Sequence, residues 1–240
     1  MSKKNSEKDN ALDLTAALRI LQNAGIEDPR MLSEDSDGRI QFIINALCDL
    51  SIHDGLTGLV NATFFHAVLE REIHRSLRTG RTCALMVIDI DHFKHINDTY
   101  GHAEGDRVLQ AVADQLRANL RNMDTAARIG GEEFAVILPE CSPQDAVQAA
   151  KRIHLSLNPL TTTTDQHAIR LTTSVGLVWT DPSIPAKSSS LLSEADQEMY
   201  RAKRNGRGRL CYKHADPTIV SRRERSALMA MEVEEGPHGH

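Results

Sequence analysis

Residues 124–138 read DTAARIGGEEFAVIL, and this stretch defines the centre of the predicted fold. Asp124–Ile129 and Glu133–Leu138 are short segments rich in apolar residues, and two glycines separate them. Such a pattern predicts a β-hairpin. Gly130 and Gly131 permit the positive φ angles of a tight turn, and they also let a ligand approach the backbone closely.

The turn of this hairpin carries two adjacent carboxylates, Glu132 and Glu133. Two neighbouring negative charges are unfavourable unless a cation neutralises them, and a metal ion or a metal–triphosphate complex would do so. The alternative is an ordinary Gly-Gly hairpin whose glutamates face solvent. The turn alone does not decide between these interpretations.

Outward from the hairpin, the apolar pattern alternates between strand and helix periods. Cys83–Ile90 is a short continuous apolar run, as expected for a strand buried on both faces. Further helices are predicted at 63–79, 105–120, 142–157 and 190–205, and further strands at 169–179 and 209–212. Ser142 suits a helix N-cap, and Pro143 suits the first helical position. The order α-β-α-β-β-α-β-α-β predicts an α/β fold with a mixed sheet flanked by helices.

The chain is divided into an N-terminal extension at 1–53, the main domain at 54–214 and a charged tail at 215–240, which we expect to be mobile. The extension is predicted to be helical. One apolar stripe contains Leu14, Leu18 and Leu21, Pro29 and Gly38 then interrupt the pattern, and a second stripe contains Ile40, Ile43, Leu47 and Leu50. The second stripe has the spacing of a short coiled-coil seam. It predicts either a helix packed on its own domain or a stalk for dimerisation or partner binding.

Composition excludes several classes of protein. The chain has 240 residues, of which 40% are hydrophobic and 25% charged, so it can bury a core. A net charge of −5 gives no support to nucleic-acid binding. The four cysteines match no metal-ligand spacing, and we expect a reducing, cytoplasmic environment. We expect no signal peptide and no membrane span, because no apolar run approaches about 18 residues.

Three more polar clusters could carry chemistry. Asp89, Ile90 and Asp91 end the predicted apolar strand and precede Phe93 and Lys94. Carboxylates at a sheet edge can bind Mg²⁺ together with phosphate oxygens. The alternative is a solvated strand end, with Asp91 capping a short helix.

Asn97 and Asp106 flank a turn that contains Gly101. An amide and a carboxylate can read the Watson–Crick edge of guanine, or they can serve the turn and the following helix start. Lys203 and Arg207 lie at a predicted helix end with a glycine turn. They could bind phosphate, or they could simply offset the helix dipole.

Together these motifs resemble the GGDEF family of diguanylate cyclases over about 160 residues. The resemblance rests on five segments in one order: DGLTGL at 54–59 with Asn61, DIDHFKHIND at 89–98, GHAEGD at 101–106, GGEEF at 130–134, and Ala202-Lys203 with Gly206-Arg207. It implies a nucleotidyl-cyclase-like mixed sheet preceded by a helical stalk. It also implies condensation of two GTP molecules into cyclic di-GMP and pyrophosphate. Because each domain binds one GTP, a homodimer or higher homo-oligomer is expected.

The resemblance also implies roles for single residues. Asp89, the Ile90 carbonyl and Glu133 would bind Mg²⁺ or Mn²⁺, and Glu132 would lie at the reacting 3′-hydroxyl, either as a further metal ligand or as the group that assists its deprotonation. The expected substrate-binding residues are Asn97 and Asp106 for guanine, Lys94, Lys203 and Arg207 for phosphates, and Phe93, Gly130 and Gly131 for the shape of the pocket.

Arg121 and Asp124 form an RxxD motif that ends five residues before the turn, where the family has a product-binding inhibitory site. Arg152 would add a second arginine there. The sequence departs from many members at Ala62 and Thr63, where two arginines are common. Activation is expected through a protein partner or dimerisation at residues 1–53. The alternatives are a catalytically silent cyclic di-GMP receptor that uses the RxxD site, or a scaffold.

Overall fold

The computed structural model describes residues 14–26, 36–163 and 167–213. The predictions for Pro29 and for the tail at 215–240 lie outside these residues. The helices are α1 (Thr15–Asn23), α2 (Ser36–Ile52), α3 (Ala62–Thr79), α4 (Phe93–Tyr100), α5 (His102–Asn119), α6 (Pro143–Leu157) and α7 (Ser188–Arg204). The strands are β1 (Val60–Asn61), β2 (Ala84–Ile90), β3 (Thr125–Arg128), β4 (Glu133–Leu138), β5 (Leu160–Thr163), β6 (Ala168–Leu171), β7 (Thr173–Trp179) and β8 (Leu210–Tyr212).

Six strands form one mixed sheet in the order β1-β3-β4-β2-β7-β8, and β5 pairs with β6 in a separate ribbon. β1 and β8 run parallel to their neighbours, whereas β2, β3, β4 and β7 pair in antiparallel fashion. The predicted α/β fold with a mixed sheet between helices is therefore confirmed.

The two faces of β2 separate the two halves of the core. Ala84, Met86 and Ile88 face a cluster built with α4, α5 and α6, and Leu85 and Val87 face a cluster built with α3 and α7. Side chains alternate between the faces of a strand, so Asp89 lies on the same face as Val87. This alternation places Asp89 towards α7.

The predicted hairpin and the helix that follows it are confirmed. Ala126 pairs with Val136 across β3 and β4. The Ser142 hydroxyl accepts a hydrogen bond from the Asp145 backbone N–H, and the Asp145 carboxylate accepts one from the Ser142 N–H. This reciprocal cap starts α6 at Pro143.

The strand predicted at 169–179 is wrong as a single element. It breaks at Thr172, so that β6 pairs with β5 whereas β7 lies between β2 and β8. The Thr172 carbonyl accepts from the Asp91 N–H, and the Thr172 hydroxyl donates to the Asp91 carboxylate at 2.7 Å. These contacts hold Thr172 between the two strands. Periodicity also missed α4, β1 and β5.

The N-terminal extension contains two helices in its described part. Leu21 of α1 and Ile43 of α2 are buried against each other, and Leu47 and Leu50 pack around them. Gly38 lies inside α2 and does not interrupt it, contrary to the prediction. Within the described ranges, no helix is both long and apolar enough to cross a membrane.

Candidate active site

The carboxylates of the site meet because of the register between β2 and β4. Asp89 lies directly opposite Glu133, and on the other side of β2 it lies opposite Ser174. Directly opposed side chains in an antiparallel pair project from the same face. The Ile90 N–H donates to the Glu132 carbonyl at 3.3 Å, which holds the turn of the hairpin against the end of β2.

Gly130 makes room for the carboxylate of Glu133. A β-carbon at Gly130 would lie 2.5 Å from Glu133 Oε2, which is too close for a real contact. The sequence analysis assigned Gly130 to substrate binding. The structure adds a local reason for this glycine, because the absence of a side chain lets the Glu133 carboxylate fold back over the turn.

A basic group from α7 completes this edge of the sheet. The Lys203 ammonium lies 2.7 Å from Asp89 Oδ2. Burial raises the pKa of Asp89, and the hydrogen bond and charge of Lys203 offset only part of that rise. Burial and the negative charge of Asp89 also raise the pKa of Glu132. The edge therefore holds acidic groups whose charge the fold does not fully compensate.

A cleft of about 520 Å³ opens beside this edge. It is lined by six of the residues predicted to bind substrate or metal, namely Phe93, Lys94, Asn97, Asp106, Gly131 and Glu132, together with Asp98, His102, Leu109 and Arg128. Asn97 belongs to α4, and Asp106 lies in the second turn of α5. The predicted turn between them is formed at Gly101 (φ 89°).

Asn97 and Phe93 are held at the cleft by close packing on α5. A side chain at Gly105 would overlap the amide oxygen of Asn97 and touch the ring of Phe93. Phe93 is 7% exposed, and it belongs to the core under the cleft. The glycine therefore lets α4 lie close to α5, which brings Asn97 and Asp106 to one side of the cleft.

Arg207 lies in the turn after α7 and is not among the residues that line the cleft. Its positive charge nonetheless acts on Asp89 and lowers the pKa of that carboxyl, against the larger effect of burial. Arg207 has φ 59°, in the left-handed region that non-glycine residues rarely adopt. The structure therefore brings the charge of Arg207 near the acidic edge, whereas Lys94 lines the cleft.

The residues at the edge fit a divalent cation bound together with a phosphate. In the part of the chain that the structure describes, no three acidic, histidine or cysteine side chains form a group that would hold a metal ion unaided. Mg²⁺ commonly takes one or two carboxylates and completes its shell with substrate phosphate oxygens and water. Asp89, Glu132 and Glu133 supply hard oxygen donors of this kind, and the Asp89 carboxylate already holds a cationic group.

The predicted inhibitory residues also lie together, at the far end of β3 from the hairpin turn. The Asp124 carboxylate accepts a hydrogen bond from the Arg121 N–H at 2.9 Å. Burial raises the pKa of Asp124, and the positive charges of Arg121 and Arg152 lower it in part. Arg152 donates to the Asn119 carbonyl at 3.0 Å, so α6 brings it to the end of α5.

Sequence reasoning missed Arg128 as a residue of the site. Its guanidinium donates to the Gly131 carbonyl at 2.7 Å and lies 3.4 Å from the carboxylate of Asp54. Asp54 also accepts from the backbone and hydroxyl of Thr57, which shapes the segment between α2 and β1. Arg128 therefore connects the hairpin turn to the residues that follow the N-terminal helices. Its position two residues before the Gly-Gly pair is the sequence signal that could have placed Arg128 at the site.

Asp91 is another residue whose position differs from the expectation. It does not cap α4, because the residue before that helix is His92, in the left-handed region at φ 58°. Asp91 is buried, and its carboxylate accepts hydrogen bonds from Thr172, Ser174 and Gly208.

Comparisons with known proteins place most of the chain in one family. Residues 51–209 match the family model described as diguanylate cyclase, GGDEF domain. The chain is 39% identical over 160 residues to diguanylate cyclase DgcP of Pseudomonas aeruginosa, covering 67% of this chain and 24% of DgcP. It is 38% identical over 201 residues to response regulator PleD of Caulobacter vibrioides, covering 78% of this chain and 44% of PleD. The chain thus spans less than half the length of these curated relatives.

Two solved structures share the fold over most of the described chain. Diguanylate cyclase SiaD of Pseudomonas aeruginosa, in complex with its activator SiaC, has a TM-score of 0.66 and 34% identity, covering 82% of this chain and 74% of SiaD. The coiled coil and GGDEF domain of DgcB from Caulobacter crescentus, in complex with c-di-GMP, has a TM-score of 0.69 and 27% identity, covering 82% and 99%. The matched family model spans well over half of the sequence, and this chain therefore belongs to the diguanylate cyclase family of GGDEF-domain proteins.

Proposed function

We propose that the protein is a diguanylate cyclase that condenses two GTP molecules into cyclic di-GMP. The 3′-hydroxyl oxygen of one GTP bonds to the α-phosphorus of the other, the bond to the β-phosphate breaks, and pyrophosphate leaves. The 3′-hydroxyl of the second nucleotide then bonds to the α-phosphorus of the first, which releases the second pyrophosphate and closes the ring. One observation carries the proposal: the cleft with Asn97 and Asp106 ends at Glu132, beside the edge that Asp89 and Lys203 form.

The residues of the cleft divide the task between base, phosphate and hydroxyl. Asn97 and Asp106 offer an amide and a carboxylate to the guanine edge. Lys94 enters the cleft from α4, and Lys203 and Arg207 approach from the end of α7, so positive groups flank the place where phosphates would bind. Phe93, Gly130 and Gly131 shape the cleft without adding bulk near the nucleotide.

Asp89, Glu132 and Glu133 would hold Mg²⁺ or Mn²⁺, with the Ile90 carbonyl as a further oxygen ligand. When bound, the metal supplies charge stabilisation at the phosphates and lowers the pKa of a coordinated hydroxyl. In the alternative to its role as a metal ligand, Glu132 would accept the proton of the 3′-hydroxyl. Lys203, now paired with Asp89, would turn its ammonium to a phosphate oxygen.

Two copies of the domain would face each other, since one such cleft lies in the described part of each chain and the reaction joins two nucleotides. Domain 54–214 would carry the chemistry, and residues 1–53 would bring two copies together or receive an activating partner. The N-terminal helices support this role because Ile20 and Ile44 are 54% and 49% exposed. The structural relative SiaD is held in complex with an activator, which favours a comparable mode of control.

Product would bind at Arg121, Asp124 and Arg152 and restrain the enzyme. The Asp124 carboxylate can accept from the guanine edge, and the arginines can grip phosphate or stack on the base. GTP is a cytoplasmic substrate, and the four cysteines are unpaired, so we place the reaction in the cytoplasm. Nucleic acid is not a partner in this proposal.

The test is a chromatographic product assay on the full chain with GTP and Mg²⁺. Glu132→Ala is the site variant, and Glu70→Ala, an exposed change on α3, is the matched control. We expect cyclic di-GMP from the wild type and the control only. Equal product from Glu132→Ala would refute the site. No product from any chain, combined with cyclic di-GMP binding that depends on Arg121, would favour the silent receptor instead.

A further inference from the structure

Asp91 is a buried carboxylate beside the active site that has no role in the proposed chemistry. It follows β2 directly, is 4% exposed and is not among the residues that line the cleft. Transferring a carboxylate out of water is unfavourable unless hydrogen bonds replace the lost hydration. The fold therefore supplies partners for this group, and the identity of those partners indicates what it does.

Three donors from two different segments meet the Asp91 carboxylate. The Ser174 hydroxyl donates to Oδ1 at 2.7 Å. The Thr172 hydroxyl and the Gly208 backbone N–H donate to Oδ2, at 2.7 Å and 2.9 Å. Thr172 lies at the break before β7 and Ser174 lies within β7, whereas Gly208 belongs to the turn between α7 and β8. Asp91 thus ties that turn to the end of β2.

The tied turn has a backbone that needs support. Gly206, Arg207 and Gly208 all have positive φ, at 107°, 59° and 56°. A run of such residues is unfavourable for Arg207, which has a β-carbon, unless the surroundings hold it in place. The Arg207 N–H donates to the Ala202 carbonyl, which anchors one side of the turn to α7. The Gly208 N–H, donated to Asp91, anchors the other side to the sheet.

Arg207 is the residue that this arrangement orients. It lies next to Gly208 in the chain, and its charge acts on Asp89, two residues before Asp91. Without the bond from Gly208 to Asp91, the turn would keep its hydrogen bonds to Ala202 and, through the Arg209 carbonyl, to the Val175 N–H. It would lose the anchor on the residue that follows Arg207, and we expect Arg207 to be less firmly held at the acidic edge. A guanidinium contributes to phosphate binding only when its donors are already oriented towards the oxygens.

We infer that Asp91 is a positioning residue, which holds the turn 206–208 so that Arg207 faces the phosphates of the bound nucleotide. The inference rests on the proposed function for its kinetic consequence. The hydrogen bond from the Gly208 N–H to the Asp91 carboxylate, which we call the tether, is a property of the fold alone. Asp91 acts through Gly208 and Arg207 and does not touch substrate.

The chain offers a matched pair of variants at this position. Asp91→Ala removes the acceptor for the Gly208 N–H. Asp91→Asn keeps an oxygen towards Thr172 and Gly208 and turns its amide to Ser174, whose hydroxyl can accept as well as donate. The alanine variant should therefore lose the tether, and the asparagine variant should retain it. Asp91→Ser replaces Asp91→Ala if thermal denaturation shows that the alanine variant does not fold.

The kinetic test is a double-mutant cycle with Arg207→Ala. We expect Asp91→Ala to lower kcat/KM for GTP by about tenfold or more, mainly through KM, and Asp91→Asn to stay near the wild type. We expect Asp91→Ala to add little in the Arg207→Ala background, because the residue that it orients is gone. Losses that multiply in the double variant would overturn the inference, as would wild-type kinetics in Arg207→Ala.

A measurement that needs no turnover separates this inference from the proposed function. Amide hydrogen exchange at Gly208, followed by NMR, should be about tenfold faster in Asp91→Ala than in the wild type or Asp91→Asn. The Ile88 amide in the centre of the sheet serves as the reference. Unchanged exchange at Gly208 would overturn the tether even in an active enzyme. Absence of cyclic di-GMP synthesis in the wild type, together with cyclic di-GMP binding that depends on Arg121, would refute the proposed function and leave the tether standing.

Discussion

The end of the sheet that carries Asp89 and Glu133 and the pair of N-terminal helices are stabilised in different ways. This proposed catalytic end rests on two large hydrophobic clusters, one on each face of the sheet. Among the residues that the structure describes, the α1–α2 pair has a core of three buried residues, Leu21, Ile43 and Ala46. A small core contributes little stability, because hydrophobic stabilisation scales with the apolar area removed from water.

The two regions also differ in which side chains lie in an unfavourable environment. The catalytic end buries acidic groups whose pKa values are raised, so it holds charge that the fold tolerates at a cost. The helical pair leaves apolar side chains, Ile20 and Ile44, in contact with water. The first arrangement suits a cation and a phosphate ligand, and the second suits another protein surface. We therefore expect changes at the catalytic end to affect chemistry, and changes at the helices to affect assembly.

The largest expected effect is at the catalytic end. Glu133→Gln keeps the shape of the side chain and removes one negative charge from the proposed metal site. We expect the rate of cyclic di-GMP formation to fall by about 10³-fold or more, with the melting temperature nearly unchanged. A rate near that of the wild type would contradict the metal assignment. Glu70→Gln on the exposed face of α3 is the control.

Deletion of residues 1–53 should have an intermediate effect. The main domain keeps both of its hydrophobic clusters, so it should fold and unfold as a cooperative unit. Loss of the helices should weaken self-association and lower the rate at micromolar protein by about tenfold, because the effective concentration of the second domain falls. Light scattering and the product assay measure both quantities.

If the chain without residues 1–53 were as active and as oligomeric as the full chain, the N-terminal helices would have no role in assembly. Leu21→Ala provides a milder version of the same test. It leaves a cavity in the core of the helical pair, which should cost about 3 kcal/mol locally and leave the main domain intact.

Arg121→Ala tests a third region, the proposed inhibitory site. Arg121 lies on the main domain, at the far end of β3 from the hairpin turn. The cyclic di-GMP concentration for half-inhibition should rise by about tenfold, because a charge-assisted contact is lost, while the initial rate stays the same. Inhibition curves for Arg170→Ala, an exposed change on β6, should overlay those of the wild type. An unaltered curve for Arg121→Ala would place the inhibitory site elsewhere.

The smallest expected effect is a gain in stability at the catalytic end. Burial and the charge of Asp89 raise the pKa of Glu132 in the folded protein, so its ionised form opposes folding at neutral pH. A carboxyl group whose pKa is higher in the folded than in the unfolded state favours folding at low pH. That contribution is fully present below the pKa of the unfolded state and is lost as the pH rises through the pKa of the folded state. Glu132→Gln should therefore melt slightly higher at pH 7, on the order of 1 °C after solvent screening.

The higher melting temperature of Glu132→Gln should disappear when the pH falls below about 4, because residue 132 is then neutral in both the wild type and the variant. A melting temperature that falls at pH 7 would mean that the glutamate is stabilising, contrary to its environment. Differential scanning calorimetry at the two pH values measures the difference.

The local predictions that held rest on short-range physics. The helix from Pro143 to Leu157 followed from a proline and a capping serine, and the hairpin followed from two glycines between apolar segments. Helix α4 was missed because its eight residues are too few to show a helical period. The break at Thr172 was missed because the groups that bind the backbone there, Asp91 and Asn158, are distant in sequence.

The amino-acid sequence by itself determined the α/β class, the alternation of β2 and the motifs that identify the family. These are properties of residue type and spacing, which act over a few neighbours. Only the tertiary structure decided that Lys203 meets Asp89, that Arg128 joins Gly131 to Asp54, and that Asp91 holds Gly208. Those contacts depend on strand register and on how closely α7 packs against the sheet. Packing of α7 is in turn set by Gly176, where any side chain would collide with the helix backbone.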